Sequence, residues 1–359
     1  MKKLSSGRKR LVNNCITYGI VIAAFVILQI CNAGGLLSPS IQGQLVPICA
    51  YVVMAIALNL VVGISGELSL GHAGFMSVGA FSGVVASLSL QSAIPNDALR
   101  LAISMVVGAV LAGVAGVIVG VPVLRLRGDY LAIVTLAFGE IIRNIFNVLY
   151  VGVDENGLHF SLQNEMALNL AEGGKSILKG PMGFTTNVKT ASFTAGFILV
   201  LITLTIALNL IHSRSGRAIM ALRDNRIAAE SVGIGATKYK LMAFVTSAVL
   251  AGAAGVLYAM NYSSMAPKKF DFNTSILILV FVVLGGIGNI RGSIIAAAFL
   301  TYLPELLRNF NLDEYRMLVY AIVLILVMLV TNNPMLKSVF TFAGRKAKRE
   351  EAQKGGAVQ

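Results

Sequence analysis

LNLVVGISGELSLGHAGFMSVGAF, residues Leu58 to Phe81, is the stretch that decides how this chain is read. It lies within apolar sequence long enough to cross a bilayer. Yet it carries Gly63, Gly66, Gly71, Gly74 and Gly79, together with Glu67 and His72. Irregular, glycine-rich backbone is tolerated at membrane depth only where protein buries it or a water-filled path runs beside it. A carboxylate there marks a functional site by default. The stretch therefore reads as a broken or re-entrant helix with the rest of the protein built around it.

Composition points the same way. Of 359 residues 56% are hydrophobic and only 13% charged, where soluble domains carry about 25% charged residues. Mean hydropathy is +0.80. The apolar runs are continuous rather than alternating, which excludes a β-barrel. The expected fold is an all-α polytopic membrane protein. Its net charge of +13 is not a nucleic-acid signature, because the basic residues lie in short loops and tails and not on a soluble module. Cys15, Cys31 and Cys49 form no C-x-x-C and no metal-ligand spacing.

About ten spans follow from the apolar runs: roughly 13–31, 43–63, 67–90, 99–121, 129–151, 191–211, 241–261, 273–287, 292–307 and 316–332. Residues 1–12 read as a basic cytoplasmic N-terminus, 13–332 as the membrane domain and 333–359 as a basic cytoplasmic tail. Placing the N-terminus inside puts 20 of the 29 Lys and Arg on the inner side, as positive-inside topology requires. Lys268 and Lys269 run against that bias. An outer polar stretch, about 152–189, reads as a long functional or partly ordered loop. An inner stretch, about 212–240, has Ala, Met, Leu and Arg at helix-friendly spacing and reads as a short amphipathic helix at the cytoplasmic face.

Several motifs carry little. NLAEGGKS at 169–176 lacks the first glycine of a P-loop and follows no strand. GGIGNIRG at 285–292 lies between apolar helices without a βαβ context, so no cofactor site is read there. Gly79 with Gly83, Gly116 with Gly120, and AGAAG at 251–255 are small-x-x-x-small faces for close helix packing. Gly63, Gly66, Gly71 and Gly74 are denser than packing needs, and Gly285, Gly286, Gly288 and Gly292 form a second break. Paired breaks of this kind flank transport paths. Glu140 and Arg143, spaced i,i+3, can pair on one helix face. Glu67 either caps the third span or lines the path.

LNLVVGISGELSLGHAGFMSVGAF, RLRGDYLAIVTLAFGEIIRN (125–144), ALRDNRIAAESVGIGATKYKLMAFVTSAVLAGAAGVLYA (221–259) and GGIGNIRGSIIAA (285–297) together resemble the branched-chain amino acid ABC transporter permeases, and among them the LivM-type subunit. The resemblance runs over roughly 45–332. It implies an inner-membrane subunit that pairs with a LivH-type permease and binds two cytoplasmic ABC ATPases. A periplasmic binding protein would supply leucine, isoleucine or valine. On this view Gly63, Gly66, Glu67, Gly71, His72, Gly74, Gly285, Gly286 and Gly288 belong to the translocation path. The ATPase-coupling loop falls on Arg223, Asp224, Ala228, Ala229, Glu230 and Gly233. The I-x-L-P continuation of that loop in ABC importers is absent, and Lys240 to Phe244 reads KLMAF. A permease for another small solute, a secondary transporter using Glu140, and a membrane enzyme built on Glu67 and His72 are the alternatives.

Overall fold

A computed structural model describes residues 6–309 apart from 36, 37, 92, 127, 156, 172 and 188, together with the isolated positions 318, 321, 322, 325 and 329. The tenth expected span and the basic tail lie almost wholly outside the described residues. The chain divides into two compact units, 1–301 and 302–359. Everything below concerns the first, except the last turns of α11.

The elements follow in order: α1 (Ser6–Ala33), α2 (Pro39–Asn59), α3 (His72–Ser89), α4 (Asp97–Val123), α5 (Asp129–Val148), α6 (Phe193–His212), α7 (Arg214–Asp224), α8 (Arg226–Ser231), α9 (Ala236–Ala259), α10 (Phe272–Gly285) and α11 (Ile290–Asn309). The described residues also hold five short strands: β1 (Tyr150–Asp154), β2 (Gly157–Ser161), β3 (Lys175–Lys179), β4 (Phe184–Thr185) and β5 (Ser264–Met265). Among the described residues seven helices are long and apolar enough to cross a bilayer, beginning with α1 and ending with α9. This makes the chain a polytopic helical membrane protein. The eighth expected span is a helix of only 14 residues, α10, about 21 Å long and short of a bilayer core of about 30 Å. The ninth, α11, has 20 residues but carries Arg291, Pro304, Glu305 and Arg308.

Small residues decide which helices touch. Gly108, Ala112, Gly116 and Gly120 recur every fourth position of α4 and are all buried, which makes one smooth ridge along the helix. The opposite side, Val106, Val110, Val114 and Ile118, is exposed and suits lipid. The ridge meets α9. A Cβ added at Gly252 would lie 2.4 Å from that of Ala112, and one at Gly116 would lie 2.7 Å from that of Ala248. The same α9 stretch packs on α3. A Cβ at Gly79 would come within 2.1 Å of the Gly252 carbonyl oxygen, and one at Gly255 within 2.0 Å of that of Met76. Backbone approach of this closeness is what small faces provide in a bilayer, where no hydrophobic effect drives helices together. α9 also packs against α2, which from Leu45 to Leu58 is apolar and, apart from Ile48, buried, as a central helix should be. α1 is peripheral and holds α6 through Phe25, whose ring stacks on Phe197 at 3.8 Å.

Between α5 and α6 the expectation of a long loop gives way to a sheet in the order β2-β1-β3-β4-β5 with antiparallel pairing throughout. Its last strand comes from the connection between α9 and α10. Phe184 pairs with Met265 and Thr185 with Ser264. Asp154 fixes the turns nearby by accepting from the backbone of Gly157 at 3.1 Å and Ala171 at 3.2 Å. α6 starts at the sheet and ends at α7, and α9 starts after α8 and ends at β5. The sheet and the α7–α8 pair therefore lie at opposite ends of the bundle.

Candidate functional site

The quoted glycine stretch is a junction, not one span. α2 continues into a π-helical turn, Leu60–Ser65, a form that recurs at functional sites. Gly66 ends it with φ +74, a left-handed conformation that glycine takes without a Cβ penalty. The Gly66 N–H donates to the Val61 carbonyl, and the chain stays non-helical until His72.

The two glycine breaks meet. Asn59, fully buried near the end of α2, accepts from the Gly288 backbone N–H at 3.0 Å and donates to Ser293 Oγ at 2.7 Å. A Cβ on Gly63 would strike Gly288 N at 2.4 Å. Gly286 and Gly288 hold φ of +91 and +81, which lets the turn fold down onto Gly63. Gly285 lies against the backbone of Gly292 and Ser293. Replacing Asn59 by alanine removes both bridging bonds and should cost about 1–3 kcal/mol. A lowered Tm of the detergent-purified protein is the readout, and an unchanged Tm would show that the breaks hold together without Asn59.

α7 reaches into this junction. Arg223 Nη1 donates to the Gly63 carbonyl at 2.9 Å, while Nε and Nη2 both donate to Asp224 Oδ1 at 3.1 and 2.9 Å. The Arg223 stem crosses Gly66, where a Cβ would lie 2.6 Å from Arg223 Cγ. Next to it Lys240, in the first turns of α9, forms an ion pair with Glu67. Glu67 does not cap α3, whose N-cap is Gly71 with no side-chain capping bond. It lines instead a cleft of about 390 Å³ with Gly66, Leu68, Arg226 and Lys240. Gly63, Gly66, Gly288 and Arg223 thus converge, with Glu67 next in the chain.

Gly71, His72 and Gly74 lie to one side of that junction. Gly71 abuts the Thr135 carbonyl of α5, and Gly74 abuts Gly139. Leu70 N donates to Thr135 Oγ1 at 3.1 Å, and Ala73 N donates to Ser275 Oγ of α10 at 3.1 Å. His72 is buried beside Phe75, its Nε2 3.4 Å from Ser247 Oγ. Ala228, Ala229, Glu230 and Gly233 belong to α8 and the turn after it. Ala229 packs with Leu222 and Ala236, which joins α7, α8 and the start of α9. Glu230 pairs with Arg226 at 2.9 Å on the exposed side.

Asn59, Lys240, Thr135, Ser275 and Ser293 were not singled out from the sequence. Asn59 had a readable signal: it is a lone amide inside an apolar run. The others depend on partners distant in the chain. Among the described residues no group of three or more His, Cys, Asp or Glu is arranged to hold a metal ion. Ahead of α10, Asp271 accepts from the Thr274 backbone N–H and from Asn273 Nδ2, both at 2.9 Å. Burial alone would raise its pKa, but these bonds and the nearby Arg143 charge hold it below the usual carboxylate value.

Apolar helices that break where two glycine turns meet, with an end helix bonded into the break, define a membrane transport protein. Comparisons identify its kind. The chain matches the family described as the permease component of branched-chain amino acid transport systems over residues 40–328. It is 34% identical over 320 positions to the high-affinity branched-chain amino acid transport permease LivM of Salmonella typhimurium, covering 84% of this chain and 72% of that one. The figures for LivM of Escherichia coli are the same. LivH of Salmonella typhimurium is 25% identical, covering 80% of this chain and 91% of the relative. No solved structure matches. The chain belongs to the branched-chain amino acid transport permease family.

Proposed function

We propose that this chain is the LivM-type half of the membrane pore of an ABC importer. It passes leucine, isoleucine and valine across the bacterial inner membrane. Its partners are a LivH-type permease, two cytoplasmic ABC ATPases and a periplasmic binding protein. In this reading the sheet end faces the periplasm and α7–α8 face the cytoplasm. Both termini are cytoplasmic. The path runs past Gly63, Gly66, Glu67, Gly71, His72, Gly74, Gly285, Gly286 and Gly288. Arg223, Asp224, Ala228, Ala229, Glu230 and Gly233 receive the ATPase.

The observation that supports the reading most is the bond from Arg223 to the Gly63 carbonyl. It joins the element suited to ATPase docking to the place where the helices are interrupted. Closure of the ATPases would then bias one of two arrangements of the break, which is what a conformational coupling needs.

The test uses vesicles holding the assembled complex and leucine-loaded binding protein. Leucine uptake should require ATP, and uptake without the ATPases would favour a secondary transporter. Glu230→Lys should weaken ATPase co-purification while leaving membrane insertion normal. An undiminished complex would remove α8 from the docking role.

A further inference from the structure

α5 carries a polar stripe that packing does not require. Glu140, Arg143, Asn144 and Asn147 are spaced three and four apart, so they share one side of the helix. Glu140 lies eight residues and Arg143 five residues before the end of α5 at Val148. At 1.5 Å per residue they are about 12 and 8 Å below the sheet end. Arg143 Nη2 and Glu140 Oε2 pair at 2.6 Å, with side chains 24% and 30% exposed. Beside them Ile133, Ile141 and Ile145 are exposed. A part-exposed charge pair at this depth would be costly if lipid covered it, and intramembrane ionisable pairs mark substrate pathways.

The surroundings are chemically specific. Glu140 lines a narrow crevice, closed in this structure to anything the size of a water molecule, with Leu70, Gly74, Gly139, Asp271 and Ser275. Leu70 belongs to the non-helical break and Gly74 opens α3, so movement of the break changes the width of this crevice. Leu136, Phe270 and Phe272 supply its apolar wall. Arg143 Nε is buried and makes no hydrogen bond, which leaves a planar donor edge in reserve. The crevice therefore presents the Glu140 carboxylate, the Asp271 carboxylate at the start of α10 and an aliphatic-aromatic wall, with the Arg143 guanidinium beside it on Glu140.

Resting on the function proposed above, we infer that Glu140 and Arg143 form a zwitterion-reading site in the path, taking the α-ammonium and α-carboxylate of the amino acid as it passes. Leucine, isoleucine and valine share only those two polar groups, and an otherwise apolar path must carry both. Arg143 receives the carboxylate through its fork, for which guanidinium geometry is suited. Glu140 receives the ammonium, with Asp271 as the second anion on the far wall. One internal ion pair is exchanged for two with the solute, so neither charge is left bare in the membrane. Once movement of the break has opened the crevice, the aliphatic side chain lies against Leu136 and the two phenylalanines.

The experiment measures leucine uptake by the full complex in vesicles, with leucine-loaded binding protein. Three versions of the chain are compared: Glu140→Gln, Arg143→Gln and the double exchange Glu140→Arg with Arg143→Glu. The single variants should lower uptake about tenfold or more, since bonds to charged groups contribute about 1.5–3 kcal/mol each. Assembly with the partner permease and ATPases should be unchanged. The exchanged pair keeps the internal ion pair but reverses it against the solute, so uptake should stay low. Uptake restored by the exchange would overturn the inference and leave a purely structural ion pair. Loss of the partner permease in the single variants would overturn it in favour of a subunit contact. Where a neutral variant fails to insert, Glu140→Asp and Arg143→Lys keep the charges but displace them. They too should insert and transport poorly, and full transport by both would overturn the site. An unmodified complex that takes up no leucine would instead remove the function proposed above.

Discussion

Gly255→Val should sharply lower both the thermal stability and the yield of the protein. A Cβ at this position would lie 2.0 Å from the Met76 carbonyl oxygen and 3.0 Å from Ala80 N. Those neighbours are backbone, so no rotamer change relieves the clash and α3 must move off α9. Overpacking a close interior costs about 1–3 kcal/mol or more. Here the displacement also opens the α3–α9 contact that centres the bundle. Lipid does not replace such a contact, because association in the bilayer depends on packing. Gly43→Ala is the matched control: an added Cβ there meets nothing within 4 Å. Equal Tm values for the two variants would show that the α3–α9 crossing is looser than its geometry indicates.

Arg223→Ala should leave the chain folded and inserted, with transport largely uncoupled from ATP hydrolysis. Its guanidinium bonds the Gly63 carbonyl and Asp224 together, and its stem fills the space above Gly66. Without it, α7 keeps its own packing through Ile219 and Leu222 but loses its bond to the break. A coupling free energy of about 1–3 kcal/mol corresponds to about 5–150-fold, and leucine uptake per ATP hydrolysed should fall within that range. Arg223→Lys should recover only part of it, because an ammonium cannot span the Gly63 carbonyl and Asp224 with a planar fork. Uptake per ATP equal to that of the unmodified complex would dismiss Arg223 as the link.

Local chemistry made part of this fold readable in advance. Gly79, Gly83, Gly116, Gly120 and AGAAG advertise close approach by their spacing, and each meets the backbone or side chains of another helix. Glu140 and Arg143 pair as their spacing implies. The crowding of Gly63, Gly66, Gly71 and Gly74 signalled a break, and the chain is non-helical from Gly66 to Gly71. Partners far apart in sequence stayed hidden. Glu67 gives no hint of Lys240, nor Gly63 of Arg223. The sheet was missed because YVGVD and KSILK are short and only weakly alternating. Its β5 strand, two residues long, gains meaning only from Phe184 and Thr185.

That sheet has a mechanical consequence. β1 follows the end of α5, β4 leads into α6, and β5 joins the end of α9 to the start of α10. Backbone bonds such as Thr186 N to the Ser263 carbonyl, at 2.7 Å, stitch these helix ends together. A lever held at one end travels farthest at the other. The sheet is a fulcrum, and the longest arc any tilt of α9 or α10 can sweep lies at the opposite end, where Gly63, Gly288 and Arg223 meet.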